Sequence, residues 1–174
     1  MYQPTLGILL LMATLIRLSA PADAKPAQDP RGSHRLSSLE KSEIATELTS
    51  VVEAFIAAGE RNDPNARASY LAPSVFYYGH KRTRAQALKE IATLYRRWPD
   101  RKFGPVESID LFEIPQRPGV YRVTAVYEYK FDNLDEHLSG KSKLTCVVEH
   151  DGQGNRIIGV DEKLVRTSTQ YHAG

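Results

Sequence analysis

Apolar positions along the chain keep two different periods, and the change between them falls near Phe103. Before it, Ile44, Leu48, Val51, Val52, Phe55 and Ile56 recur at helical spacing and define one buried stripe. Ser37 and Glu40 stand three apart at the head of this stretch, the pattern of a capping box, and Gly59 and Asn62 end it. Asp63-Pro64 restarts a helix, with Asp as N-cap and Pro in the first turn. This second helix is expected to run to about Leu71 and to stop at Pro73. Val75-Phe76-Tyr77-Tyr78 is a brief β-rich run closed by Gly79. Thr83, with Gln86 three residues on, opens a third helix; Leu88, Ile91, Ala92, Tyr95 and Trp98 form its inner face, and Pro99 ends it.

After Phe103 the period is two. Val106 to Ile114 reads as a strand, broken by Pro115 and the Arg117-Pro118-Gly119 turn. Val120 to Phe131 is the clearest element: Tyr121, Val123, Ala125, Tyr127, Tyr129 and Phe131 share one face, against Arg122, Thr124, Glu128 and Lys130 on the other. Asp132 to Glu136 is a loop. Ser139 to His150 is the next strand, with Leu144, Cys146 and Val148 on one face. Asp151 to Asn155 is a hairpin loop, and Arg156 to Val165 the last strand. Helices first and a meander of long strands after them predict an α+β fold, three helices packed on a strongly curved, mostly antiparallel sheet.

The N-terminal segment follows a different pattern. Leu6 to Ile16 is an uncharged run of 11 residues, too short for a membrane span of about 20 residues. Followed by Ala22-Asp23-Ala24, it fits a secretory signal peptide cleaved before Lys25; an uncleaved anchor is the alternative. The expected organisation is a signal peptide over 1–24, a flexible leader over 25–36, one folded domain over 37–167 and a tail over 168–174. The mature protein is then periplasmic or secreted and is not an integral membrane protein.

Composition narrows the function classes. With 174 residues and 41% hydrophobic content, the chain supports one domain with a real core. A net charge of +2 speaks against a chain-wide nucleic-acid footprint. The single cysteine excludes an internal disulfide or a paired-cysteine redox or zinc site.

The element order α-α-β-α-β-β-β-β, the long amphipathic first helix and the Tyr-rich central strand resemble the nuclear transport factor 2-like superfamily. That resemblance implies a cone, with a bent sheet wrapped on three helices and a pocket at the open end. Tyr77-Tyr78-Gly79 before the third helix and Arg97-Trp98-Pro99-Asp100-Arg101 after it are similar to exported bacterial domains of this superfamily. The superfamily includes ketosteroid isomerases, scytalone dehydratases and polyketide cyclases, and also binding and dimerisation domains, so the fold does not decide the function. Its isomerases carry a tyrosine on the first helix; the stretch Glu40 to Glu60 has none, which speaks against that chemistry.

In a cone, Tyr77, Tyr95, Trp98, Tyr127 and Tyr129 are the candidates to line a ligand pocket, since tyrosine joins an apolar body to a polar tip. Core packing is the competing account of each. Asp161 and Glu162 lie on opposite faces of the last strand, so one of them points inward, where a buried carboxylate can act as a general base. Asp161, His80 and Tyr127 are the catalytic candidates. Arg82, Lys89, Arg96 and Arg97 form a basic patch on the third helix, read either as a site for an acidic partner or as a solvated helix face. The outer face of the sheet can support a homodimer. The histidines lack paired ligand spacing, so no metal and no cofactor are expected. Cys146 reads as a small core hydrophobe. Ser38-Leu39-Glu40-Lys41, Gly140-Lys141-Ser142 and the 151–162 stretch only superficially match acylase, phosphate-loop and calcium-loop motifs. The function expected from all this is a non-catalytic module binding a small apolar or amphipathic ligand, or a protein partner. The alternative is a pocket enzyme doing acid–base chemistry of isomerase, dehydratase or cyclase type.

Overall fold

The structure, a computed structural model, describes residues 38–152 and 154–165. The expected signal peptide, leader and tail lie outside the described residues. Helix α1 (Ser38–Ala57) runs into a 3-10 turn (Ala58–Glu60) and is followed by α2 (Pro64–Ala68), β1 (Leu71–Tyr77), β2 (His80–Thr83), α3 (Arg84–Arg97), β3 (Asp100–Glu113), β4 (Val120–Asp132), β5 (His137–His150) and β6 (Asn155–Val165). The six strands form one sheet in the order β2-β1-β6-β5-β4-β3. Only β1 and β6 run parallel; every other neighbouring pair is antiparallel.

The alternation on β4 decides which face of the sheet meets the helices. Tyr121, Val123, Ala125, Tyr127 and Tyr129 are buried, while Arg122, Glu128 and Lys130 are exposed. Leu48, Val52 and Phe55 of α1 and Ile91 of α3 complete the core with Leu144, Cys146 and Val148 of β5 and Ile157 and Val160 of β6. Cys146 is fully buried, and burial pushes its thiol up to about 12, which fits a packing role rather than a nucleophile. The predicted capping box of α3 is present: Gln86 N donates to Thr83 Oγ1 (3.2 Å) and Thr83 N to Gln86 Oε1 (2.8 Å).

The register shifts twice between β3 and β4, around Phe103, Val106 and Ser108. Such bulges bend a strand and re-aim its side chains. Here the shift follows Phe103, whose ring packs edge-on to Tyr127 and Phe131, each at 5.5 Å between centroids. Gly59 makes room for it, since a Cβ at that position would stand 2.7 Å from Phe103 Cε2.

Four local expectations differ from the structure. Strand β3 begins at Asp100 and not at Val106, because Asp100 to Phe103 pair with Asp132 to Tyr129 of β4. Helix α2 ends at Ala68, because Leu71 pairs with Ile157 and Ile157 N donates to Tyr70 O (3.0 Å); parallel pairing with β6 takes the chain out of the helix. Pro73 therefore lies inside β1 and not beyond a helix. It is tolerated there because the β1–β2 ladder starts at Ser74 and no partner on β6 is registered between Leu71 and Phe76. Strand β2 is additional to the expected order. Its four residues, His80-Lys81-Arg82-Thr83, are polar and form the sheet edge, so they carry no hydrophobic alternation to read.

Candidate functional site

A cavity of about 340 Å³ opens between α3 and the concave face of the sheet, with α2 contributing Arg67 to its lining. Its apolar wall includes Ile91 and Leu94 of α3, Phe103 of β3 and Phe131 of β4. Leu138 and Leu164, both exposed, also border it. The volume is at the low end for small-molecule sites.

Glu162 is the acidic centre of this cavity. Three hydroxyls from three different elements donate to it. Tyr78 OH donates to Oε2 (2.8 Å), Ser142 Oγ to Oε1 (2.7 Å) and Tyr127 OH also to Oε1. A carboxylate has about four lone-pair positions, so most of its accepting capacity is already used. The donating tyrosines are held neutral. Burial, followed by the nearby Glu162 charge, raises the Tyr78 and Tyr127 phenols above their ordinary range. Burial also pushes Tyr77 up to about 12. No phenol here is a base near neutral pH.

Tyr78 reaches Glu162 from an unusual backbone position. It occupies the β1–β2 turn with Gly79, and both have positive φ, 45° and 80°. Tight hairpin turns of this form favour Asn-Gly or Gly-Gly. A tyrosine at positive φ is costly, and such costs concentrate where the side chain has a task. Tyr78 N also donates to Val160 O (2.9 Å), which ties the turn to β6.

Arg67 is the cationic element. It is 3% exposed, and its guanidinium lies over the Phe55 ring at 4.5 Å, with Phe103 at 5.9 Å. Among the described residues no carboxylate forms an ion pair with it. Its Nε is the one buried side-chain nitrogen or oxygen without a hydrogen-bond partner among them. Burial works against its charge, the ionised Glu162 nearby favours it, and the guanidinium stays protonated.

Of the expected pocket residues, Tyr77 and Tyr129 line the cavity, and Tyr127 contributes through Glu162. Tyr95 and Trp98 lie elsewhere. Tyr95 OH donates to Ala58 O (3.3 Å), and Trp98 packs against Phe131 at 6.1 Å. Asp161 is exposed on the opposite face of β6, bordering a separate groove with Phe76 and Val147; Glu162 is the inward carboxylate. His80 is exposed at the start of β2 and does not line the cavity. In the basic patch, Arg82 Nε pairs with Glu90 Oε1 (2.7 Å) and Arg97 Nη2 with Glu136 Oε2 (3.4 Å). Arg96 Nη2 donates to Thr93 Oγ1 (3.1 Å), and Lys89 is exposed. Sequence reasoning did not single out Arg67 or Ser142, and placed Tyr78 only in the wider set of aromatic residues from which a pocket lining is drawn. A signal existed for Tyr78 alone, since a tyrosine before the turn glycine is out of place for the turn itself.

Among the described residues no helix is long and apolar enough to cross a membrane, and no group of three His, Cys, Asp or Glu is placed to hold a metal ion. No protein-family model and no curated protein sequence matches the chain. Solved structures do. An uncharacterised protein with a cystatin-like fold from Caulobacter vibrioides is 17% identical, with a TM-score of 0.61 over 71% of this chain and 91% of that one. A proposed dehydratase of the nuclear transport factor 2-like family from Streptomyces avermitilis is 14% identical, with a TM-score of 0.59 over 73% and 99%. A proposed scytalone dehydratase from Novosphingobium aromaticivorans is 11% identical, with a TM-score of 0.61 over 77% and 91%. These likenesses show the fold: helices followed by a curved, unclosed six-stranded sheet, an α+β cone like that of nuclear transport factor 2-like proteins.

Proposed function

We propose that this domain is a small-ligand-binding module that takes a compact amphipathic molecule into the cone cavity and does no chemistry on it. One observation carries the reading: of the two carboxylates lining the cavity, Glu90 pairs with Arg82 and Glu162 already accepts hydrogen bonds from Tyr78, Tyr127 and Ser142. A general base must have an oxygen free for the substrate proton. Glu162 instead acts as a fixed acceptor that orients two phenol rings, of which Tyr78 lines the cavity. Isomerase, dehydratase or cyclase chemistry would need that network to open. The charge-free run Leu6 to Ile16 and the Ala22-Asp23-Ala24 site support an exported module.

The test is an NMR titration of the chain with a neutral aromatic alcohol, 2-phenylethanol. Saturable shifts centred on Tyr78, Ile91, Phe103 and Leu138 are expected. Shifts absent from these residues, or spread evenly over the surface, would remove the binding reading. Native mass spectrometry of protein isolated from its own periplasm or medium is expected to reveal a retained small molecule.

A further inference from the structure

We infer that the occupant of the cavity is an organic monocarboxylate, whose carboxylate pairs with the Arg67 guanidinium and whose apolar body lies against Ile91, Leu94 and Phe103. This rests on the binding reading above and names the ligand class for that site.

Arg67 is the starting point. A guanidinium cannot shed its proton on burial, as a lysine can. Taking its charge out of water is therefore costly, and Glu162 offsets that cost only from a distance, without an ion pair. The aromatic contact with Phe55 covers the face of the ion. It does not engage the in-plane N–H donors, and Nε has no hydrogen-bond partner. The Tyr95 hydroxyl donates to Ala58 O and accepts from Arg67, one neutral acceptor that brings no negative charge. Glu162, the nearby acid, forms no ion pair with Arg67 and is bound by its three hydroxyls. The other buried arginine, Arg101, is surrounded by oxygen acceptors, so an unpaired edge is not a general habit of this fold.

The anion is a carboxylate for two reasons. Its planar pair of oxygens matches the guanidinium fork, giving two parallel charge-assisted bonds. It also brings one negative charge to one positive charge. A phosphate dianion would face Glu162 in the same cavity with a second, uncompensated charge. The hydroxyls of Tyr78, Tyr127 and Ser142 already donate to Glu162 and are not available to its extra oxygens. The cavity of about 340 Å³ and its largely hydrocarbon wall suit a small aromatic or branched aliphatic body.

The experiment is calorimetric titration of the full chain with phenylacetate, with 2-phenylethanol as the neutral counterpart and with inorganic phosphate. Phenylacetate is expected to bind about tenfold or more tightly than 2-phenylethanol, and phosphate more weakly than phenylacetate. Arg67→Met should abolish the preference for the anion while 2-phenylethanol still binds. Glu162→Gln keeps an acceptor for the hydroxyls, removes the opposing charge and should tighten phenylacetate binding. Equal affinity for phenylacetate and 2-phenylethanol in the unsubstituted protein, or an unchanged preference in Arg67→Met, overturns the carboxylate inference and leaves the binding reading standing. If phosphate binds more tightly than phenylacetate, the anion class is wrong. If none of the three binds, the binding reading and this inference fall together. Should Arg67→Met not fold, the Glu162→Gln result decides, since an anion site must respond to that charge and a neutral one need not.

Discussion

Arg101 and Arg67 are both buried and both stacked on an aromatic ring, at 3.7 Å from Tyr95 and 4.5 Å from Phe55 respectively. They differ at the edge of the guanidinium. Arg101 Nε donates to Gly59 O (3.0 Å), its Nη2 to Arg61 O (3.1 Å) and Asn62 Oδ1 (3.0 Å), and its Nη1 to the carbonyls of Tyr95 and Trp98. Those carbonyls belong to the ends of α1 and α3, where helices leave acceptors unpaired and carry partial negative charge. Arg101 is a clamp that joins two helix C-termini. Arg67 has the same chemistry without such acceptors and lines a cavity. The same residue type, at similar burial, closes the structure in one place and leaves it unfinished in the other.

The contrast is sharpest if the clamp is removed. Arg101→Met should lower unfolding stability by about 3–4 kcal/mol, because several buried acceptors lose their donor together. Urea unfolding of the variant measures this, and a midpoint close to that of the parent would break the comparison.

Alkaline pH tests the cavity side. The Tyr77 phenol ionises at its ordinary value of 10.0 in the unfolded chain but holds its proton to about 12 in the folded one, chiefly through burial. The folded state therefore binds more protons across that window. Its contribution is intact below pH 10 and is lost as pH rises toward 12. Two pH units correspond to about 2–3 kcal/mol from this group. Stability should decline steadily above pH 10, and phenolate absorbance of the native protein should lag that of the unfolded chain. Tyr77 lies on the cavity side, so Arg101→Met should keep this decline and show it from a lower start.

Gly59 lies between the two arginines. Its carbonyl accepts from Arg101, and a Cβ there would stand 2.7 Å from Phe103 Cε2 and 3.2 Å from Arg67 Nη1. Gly59→Ala should cost about 1–3 kcal/mol through overpacking and should also weaken ligand binding by displacing Phe103. A stability loss with unaltered affinity for 2-phenylethanol would place Phe103 outside the binding wall. Tyr78→Phe removes one donor from Glu162 and should cost about 1 kcal/mol. Tyr78→Asn should recover part of that loss through the turn, while Tyr78→Phe should not; identical stabilities would mean that the positive φ costs little.

The smallest effect belongs to the open arginine. Arg67→Met removes a buried charge that makes no ion pair, together with its attraction to Glu162, and keeps an apolar side chain against Phe55, so stability should change by less than about 1 kcal/mol. A loss as large as that of Arg101→Met would show that Arg67 is a structural clamp too.

The sequence alone determined the skeleton of this protein. The 3.6-residue stripe of α1, the Thr83–Gln86 box and the alternation of β4 are local patterns, and burial follows from them because side-chain direction is fixed by the element's period. The α+β cone was legible for the same reason. The weak points were places where pairing partners distant in sequence decide the outcome: Leu71 drawn into β1 by Ile157, and the polar edge strand β2 held by its hairpin with β1. The site depended wholly on such distances. That Glu162 and not Asp161 turns inward depends on the register of β6 against β5, and a one-residue shift would exchange them. Whether a buried arginine is satisfied depends on which carbonyls arrive beside it from other elements. Arg101 meets the ends of two helices, Arg67 meets none of them, and no pattern along the chain encodes that difference.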